Sequence, residues 1–105
     1  MAQEKPREQP DVTITHEDRG DCGRYIAAIA GSSVTGHLDW ESLGGGVRAA
    51  THTIVQPAIG GRGVAAVLVE ALVADARTQG FRIAPQCSYV ARKFDEHPDW
   101  ADLAA

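Results

Sequence analysis

Cysteine, aromatic residues and basic charge are all scarce in this chain of 105 residues. The two cysteines, Cys22 and Cys87, are too few and too far apart in sequence for a disulfide framework or a CxxC-type zinc site, so we expect free thiols and no metal. Ten Lys and Arg against 14 Asp and Glu give a net charge of −4, which argues against nucleic acid as a partner. No apolar run approaches the roughly 20 residues that span a bilayer, so we expect no membrane partner either.

The composition that remains is that of an ordinary globular domain. Hydrophobic residues make up 44% of the chain and charged residues 23%, which is enough for one modest core. Residues 1–10 mix charged residues with two prolines and offer nothing apolar to bury, so we expect a disordered lead-in. They also lack the apolar segment of a signal peptide, and we therefore expect a cytoplasmic protein with a single domain over residues 11–105.

Four strands in succession are predicted. Alternating apolar and polar residues predict those at residues 12–15, 34–41 and 47–55, and an apolar run bounded by turn residues predicts the one at residues 25–30. In the third strand Trp40 falls on the apolar face, which indicates a place in the core. In the fourth strand the alternation puts His52 on the same face as Ala50 and Ile54.

A long helix follows the fourth strand. Residues 64–79 contain no Gly or Pro, and Gly80 supplies a stop signal. Five apolar residues share one face of this helix, namely Ala65, Leu68, Val69, Leu72 and Ala76. Residues 81–84 then predict a short strand that ends at Pro85, and residues 90–96 a second, short helix. This order predicts an α+β fold, a mostly antiparallel sheet with one parallel crossover.

A glycine-rich loop, Gly60-Gly61-Arg62-Gly63, joins the fourth strand to the long helix. Glycines let backbone N–H groups approach an anion, the start of the helix carries positive potential, and Arg62 adds a full charge. A tight turn into a helix explains the same glycines equally well. Two nucleotide-binding loops are excluded, because GxxxxGK[ST] is absent and a GxGxxG unit needs a longer chain with parallel strands.

Three motifs, which follow one another along the chain, resemble the GNAT-type N-acetyltransferase superfamily, and in particular its small, stand-alone, single-domain branch. In chain order they are the run His52-Thr53-x-Val55, a glycine loop close to [QR]xxGx[GA], and the run Pro85-x-Cys87-Ser88-Tyr89-Val90 followed by His97-Pro98. Gly60 stands where the loop motif usually has Gln or Arg, so we expect Arg62 to compensate. The resemblance covers most of the chain and implies a GNAT-like acyl-CoA N-acyltransferase fold, with a long central helix and a short C-terminal helix.

The resemblance implies acetyl-CoA as the cosubstrate. The residues expected to hold its pyrophosphate are Gly61, Arg62, Gly63, Val64 and Ala65. Its pantetheine arm is expected in a V-shaped split between residues 51–55, which include Val55, and residues 81–85. Tyr89 and Lys93 of the second helix are expected on the thiol and phosphate side.

Cys87 and His52 are the candidate catalytic residues. Cys87 precedes a helix start, where the dipole lowers a thiol pKa, and the resemblance places it beside the acyl thioester. Either the acetyl group passes through Cys87 with His52 as the base, or an amine attacks the thioester directly and Cys87 lines the tunnel. Structural roles explain the same residues, as a buried thiol and a hydrogen-bonded histidine.

The expected acceptor is an amine, on a small molecule, a protein lysine or an N-terminus. GNAT enzymes build much of the acceptor groove from helices between the first two strands, and only residues 17–23 separate them here, so we expect an open groove. An exposed acidic group would suit a cationic amine if it borders this groove, namely Asp18, Asp21, Asp39 and Glu41.

We expect a monomer, with a dimer that completes the groove as the alternative. A competing hypothesis is a CoA-binding or protein-interaction module with little or no turnover.

Overall fold

Five strands form one sheet, in chain order, in the computed structural model, which describes residues 12–59 and 63–105. The strands are β1 (Val12–Asp18), β2 (Cys22–Ile29), β3 (Thr35–Gly44), β4 (Val47–Val55) and β5 (Arg82–Pro85). Strands β1 to β4 pair antiparallel, and β5 pairs with β4 in parallel. The predicted α+β fold with one parallel crossover is therefore confirmed, whereas the disordered segment predicted at residues 1–10 lies outside the described residues.

Helix α1 (Val64–Gln79) makes the crossover from β4 to β5, and α2 (Ser88–Glu96) follows β5. The bounds of α1 are as predicted, and the φ of 83° at Gly80 lets its N–H reach the Ala76 carbonyl oxygen at 2.8 Å. Helix α2 begins two residues earlier than predicted, because Cys87 caps it in an extended conformation and its carbonyl accepts the Ala91 N–H at 2.9 Å. Short 3-10 segments precede α1 (Pro57–Ile59) and follow α2 (Pro98–Leu103).

The hydrophobic core lies between α1 and one face of the sheet, which we call the helix face. Tyr25, Leu38 and Trp40 are its largest fully buried side chains from the sheet, and Leu68 of α1 packs in the same cluster. Trp40 is 1% exposed, so the prediction that it belongs to the core is confirmed. Val90 of α2 joins this cluster too, which places α2 on the same side of the sheet as α1.

No helix in the described part of the chain covers the opposite side of the sheet, which we call the open face. Arg24, Asp39 and His52 project from it, since the side chains that alternate with them in β2 and β3 are buried. Ile54 also lies on this face and is 48% exposed. The short β1–β2 connection adds no helix here, so the face stays accessible to a ligand.

Two strands that form hairpins, β1 and β3, extend beyond their predicted ends. β1 continues to Asp18 because it stays in register with β2 as far as Gly23. β3 continues to Gly44, opposite Val47 of β4. Gly45 and Gly46 form the turn with φ of 62° and 76°, a conformation that strongly favours glycine.

Candidate functional site

Strands β4 and β5 are hydrogen-bonded along only half of β4. Their parallel register ends where Ala50 lies opposite Pro85, and the Cys87 N–H then donates to the Ala50 carbonyl oxygen at 2.8 Å. Beyond that bond, residues 51–55 pair with β3 on one side and with no described strand on the other. The structure thus has an opening at the place where the V-shaped split was predicted.

A β-bulge at Thr51 marks the start of the opening. Asp39 pairs with His52 and the next residue, Trp40, pairs with Ala50, so Thr51 is the extra residue in β4. Its hydroxyl donates to the Asp39 carbonyl oxygen at 3.3 Å. The bulge corrects one prediction: Ala50 is 1% exposed on the helix face and does not share the face of His52. Simple alternation fails here because the bulge inserts one residue into the period of two.

The first turn of α1 has backbone donors without partners inside the helix. The earliest bond of the helix runs from the Val67 N–H to the Gly63 carbonyl oxygen at 3.1 Å, so the N–H groups of the three residues before Val67 lie ahead of the helical ladder. Gly63 has a φ of 76° and supplies no side-chain cap, and no acidic residue stands in this turn. Val64 is buried, and Ala65 is half-buried rather than fully packed as its position in the periodicity predicted. This end of α1 can therefore accept an anion through its backbone.

The other residues of the predicted loop, Gly60, Gly61 and Arg62, lie outside the described residues. Their expected contact with pyrophosphate stays a prediction from the sequence.

The Cys87 thiol stands at the N-terminus of α2 and faces β4 across the opening. Its Sγ forms a hydrogen bond with Thr53 Oγ1 at 3.4 Å, and the hydroxyl can donate in that bond when the thiol is ionised. Burial raises the pKa of the Cys87 thiol, but interactions with the Thr53 hydroxyl and with the backbone N–H groups of Val90, Tyr89 and Thr53 outweigh it, so the pKa lies below the ordinary value. The environment of Cys87 therefore stabilises the thiolate more than that of an ordinary cysteine does.

His52 and Cys87 lie on opposite faces of β4. Thr53, which contacts the thiol, pairs with the buried Leu38 on the helix face, whereas the adjacent His52 is exposed on the open face. Cys87 packs against the core of the helix face. The structure therefore does not bring the two candidate catalytic residues into contact, and the hydroxyl beside the thiol comes from Thr53.

The remaining cofactor candidates lie on β4 and α2. Val55 is half-buried against the core at the last position of β4. Tyr89 and Lys93 are one turn apart on α2, with Lys93 Nζ 5.7 Å from the centre of the Tyr89 ring. Lys93 also pairs with Glu96 at 3.2 Å, and that bond raises the pKa of Lys93.

Thr53 and Thr51 are the residues whose roles the sequence did not reveal. Thr53 stands inside the run His52-Thr53-x-Val55, so the motif located it, but nothing in the motif indicated a contact with Cys87. A cavity of about 460 Å³ on the open face is also new. Asp39 and Glu41, two members of the predicted acidic group, line it together with His52.

Within residues 12–59 and 63–105, no group of three or more His, Cys, Asp or Glu side chains is arranged to hold a metal ion. In the same residues, no helix has both the length and the apolar character that a membrane span requires.

A family model described as GCN5-related N-acetyl-transferase matches residues 24–103. The chain belongs to this family. The match begins in β2 and ends in the last 3-10 segment, so it includes the opening in β4, the glycine loop, α1 and Cys87. Membership confirms the predicted resemblance and the GNAT-like fold, and it supports an acetyltransferase function in general. No curated protein matches the chain significantly.

Proposed function

We propose that this member of the GCN5-related family is an N-acetyltransferase that takes an acetyl group from acetyl-CoA and delivers it to an amine. One observation supports the proposal most strongly. Three features border the same opening, namely the half of β4 without a β5 partner among the described residues, the start of α1 without a side-chain cap, and the Cys87 thiol.

The residues around this opening fit the chemistry of coenzyme A. Its pyrophosphate suits the start of α1, where Gly63, Val64 and Ala65 offer backbone N–H groups and Gly61 and Arg62 precede them in the loop. Its pantetheine amides suit residues 51–55, whose backbone groups on the β5 side have no strand partner. Tyr89 and Lys93 of α2 flank the same region and can contact the arm and a phosphate.

Two routes for the acetyl group remain, and each uses different residues. In the direct route, an amine attacks the thioester carbonyl carbon while backbone N–H groups polarise the carbonyl, and His52 on the open face accepts a proton. In the other route, the Cys87 thiolate takes the acetyl group first. Because Thr53 and not a base contacts the thiol, this second route depends on the lowered pKa of Cys87 instead of proton removal by His52.

Calorimetric titration with CoA tests the proposal. Arg62→Glu is expected to weaken binding at least tenfold, because a carboxylate would face the pyrophosphate at the positive end of α1. Arg82→Glu is the matched control, since it makes the same charge change on an exposed residue of β5, where β5 pairs with β4. Equal affinities for the two variants, or no binding by the wild type at millimolar CoA, would contradict the proposed site.

Intact-protein mass after incubation with acetyl-CoA separates the two routes. An acetyl adduct in the wild type and in Cys22→Ala, but not in Cys87→Ala, establishes the intermediate on Cys87. Turnover of an amine by Cys87→Ala without any adduct in the wild type establishes direct transfer. Cys22 is the matched control because it is the second free thiol, on β2.

A CoA-binding or protein-interaction module with little turnover is the second candidate. The observation that favours it is the separation of His52 from Cys87, which leaves the thiol without an adjacent base. This alternative is supported if the protein binds CoA tightly but releases no free CoA from acetyl-CoA when varied amines are present.

A further inference from the structure

The cavity of about 460 Å³ lies on the open face, against the bulge in β4. Thr51 and His52, the first two residues of β4 beyond its pairing with β5, line one side of it. The Cys87 thiol reaches Thr53 from the helix face, so the thickness of one strand separates the two sites. The volume falls within the range of about 300–1,000 Å³ that small-molecule sites occupy.

The charged side chains that line the cavity are of both signs. Arg24 binds Asp39 with two bonds, Nε to Oδ1 at 2.7 Å and Nη2 to Oδ2 at 3.2 Å. His37 Nε2 lies 3.9 Å from Asp39 Oδ2, and Glu17 also interacts electrostatically with Arg24. Glu17, Arg19 and Glu41 also line the cavity, and among the described residues none of these three side chains forms an ion pair. The Arg19 guanidinium and the Glu41 carboxylate are therefore available to a ligand, and the Glu17 carboxylate lines the same cavity while also interacting with Arg24.

We infer that this cavity binds the acceptor, and that the acceptor is a free amino acid, a small amine that carries its own carboxylate. The inference rests on the proposed acetyltransferase function. An ammonium group suits Glu17 and Glu41, and a carboxylate suits Arg19. A polyamine without a carboxylate would meet the unpaired charge of Arg19, which disfavours it.

His52 lines the cavity, so it lies on the side of β4 where the amine would bind and can take a proton from it. The substrate ammonium first loses one proton to His52. Its nitrogen then forms a bond to the acetyl carbonyl carbon while the bond from that carbon to the CoA sulfur breaks. The second proton of the nitrogen passes to the departing thiolate, which gives free CoA, an amide and a protonated His52 that releases its proton to water.

An acceptor screen tests the inference. The protein is incubated with acetyl-CoA and one of three probes: a mixture of the common amino acids, a mixture of methylamine, cadaverine and spermidine, or a lysine-containing peptide amide. Mass spectrometry is expected to find an acetylated product with the amino acids, at least tenfold above the other two arms. Preference for the amines or the peptide amide, or no acetylated product in any arm, overturns the inference.

Calorimetry with CoA, run on the same protein, tells the two failures apart. Intact CoA binding without an acetylated amino acid overturns the assignment of the cavity alone, whereas absent CoA binding overturns the proposed function as well.

Charge reversal at Arg19 tests the assigned contact. Arg19→Glu is expected to raise KM for the amino acid about three- to tenfold while the Kd for CoA stays unchanged. The side chain of Arg19 is exposed, and its backbone N–H donates to the Cys22 carbonyl oxygen at 2.9 Å, so the variant keeps the turn. Arg82→Glu, outside the cavity, is expected to leave KM unchanged. An unchanged KM in Arg19→Glu, or an equal rise in both variants, contradicts the contact.

Discussion

Gly23 has no room for a side chain, and this makes Gly23→Ala a quantitative test of the packing. A Cβ at this position would lie 2.6 Å from three atoms of the Trp40 indole ring, whereas ordinary van der Waals contact begins at 3.4 Å. The ring would have to move by about 0.8 Å. It is held in place, because Trp40 Nε1 donates to His16 Nε2 at 2.9 Å and the Arg48 guanidinium lies 3.9 Å from the ring centre.

The expected cost combines two effects. Overpacking a close-packed core destabilises a protein by about 1–3 kcal/mol. Displacing the ring also disrupts the bond from Trp40 to His16, which adds about 1 kcal/mol. We therefore expect Gly23→Ala to lower the free energy of unfolding by about 3 kcal/mol, and the melting temperature by about 15 °C.

Urea denaturation followed by far-ultraviolet circular dichroism measures this loss. Gly36→Ala is the matched control, because the added Cβ would lie 3.1 Å from its nearest neighbour, the Val55 Cγ2 atom. This substitution should lower the free energy of unfolding by about 1 kcal/mol or less. Trp40→Leu makes room, so Gly23→Ala should be milder in that background than in the wild type. A loss below about 0.5 kcal/mol in Gly23→Ala itself would refute the argument from packing.

Three further substitutions have expected outcomes. Tyr25→Phe removes the bond from the Tyr25 hydroxyl to Asp75 Oδ2 at 2.6 Å and should lower the free energy of unfolding by about 2 kcal/mol in urea titrations. Burial and then that bond raise the pKa of Tyr25 above 10.0. The stabilisation from the neutral hydroxyl is therefore present below pH 10.0, and the free energy of unfolding falls as pH rises above that value. Tyr25→Phe should flatten this fall. Arg77→Ala removes an exposed ion pair to the C-terminal 3-10 segment and should cost about 1 kcal/mol or less, and a larger loss would contradict this. Thr53→Val should raise the pKa of Cys87 and slow its alkylation by iodoacetamide at neutral pH, whereas an unchanged rate would show that the hydroxyl is not the thiol's partner.

Local patterns were sufficient to predict the elements that position the site. β4 and α1 have the predicted bounds, Val47–Val55 and Val64–Gln79, because an alternating segment after a glycine run and a long segment without Gly or Pro are strong local signals. The parallel crossover follows from the order of the elements, since a helix between two neighbouring strands returns the chain in the same direction.

The relation between the two candidate catalytic residues could not be predicted in the same way. A bulge at Thr51 inserts one residue into the alternation, which puts Ala50 on the helix face and leaves His52 on the open face. Bulges have no reliable signal in a single sequence, because any residue type that tolerates the conformation can occupy them. The contact between Cys87 and Thr53 joins residues 34 positions apart, and only the parallel register of β4 and β5 brings them together.

The most direct test of the proposed CoA site is an NMR titration of the labelled protein with CoA. The account predicts that backbone amide signals of residues 51–55 and of Val64 and Ala65 shift or gain protection from exchange, while the signals of β1 stay unchanged. Unchanged amide signals in both segments at saturating CoA, or shifts confined to other parts of the sheet, would contradict the account.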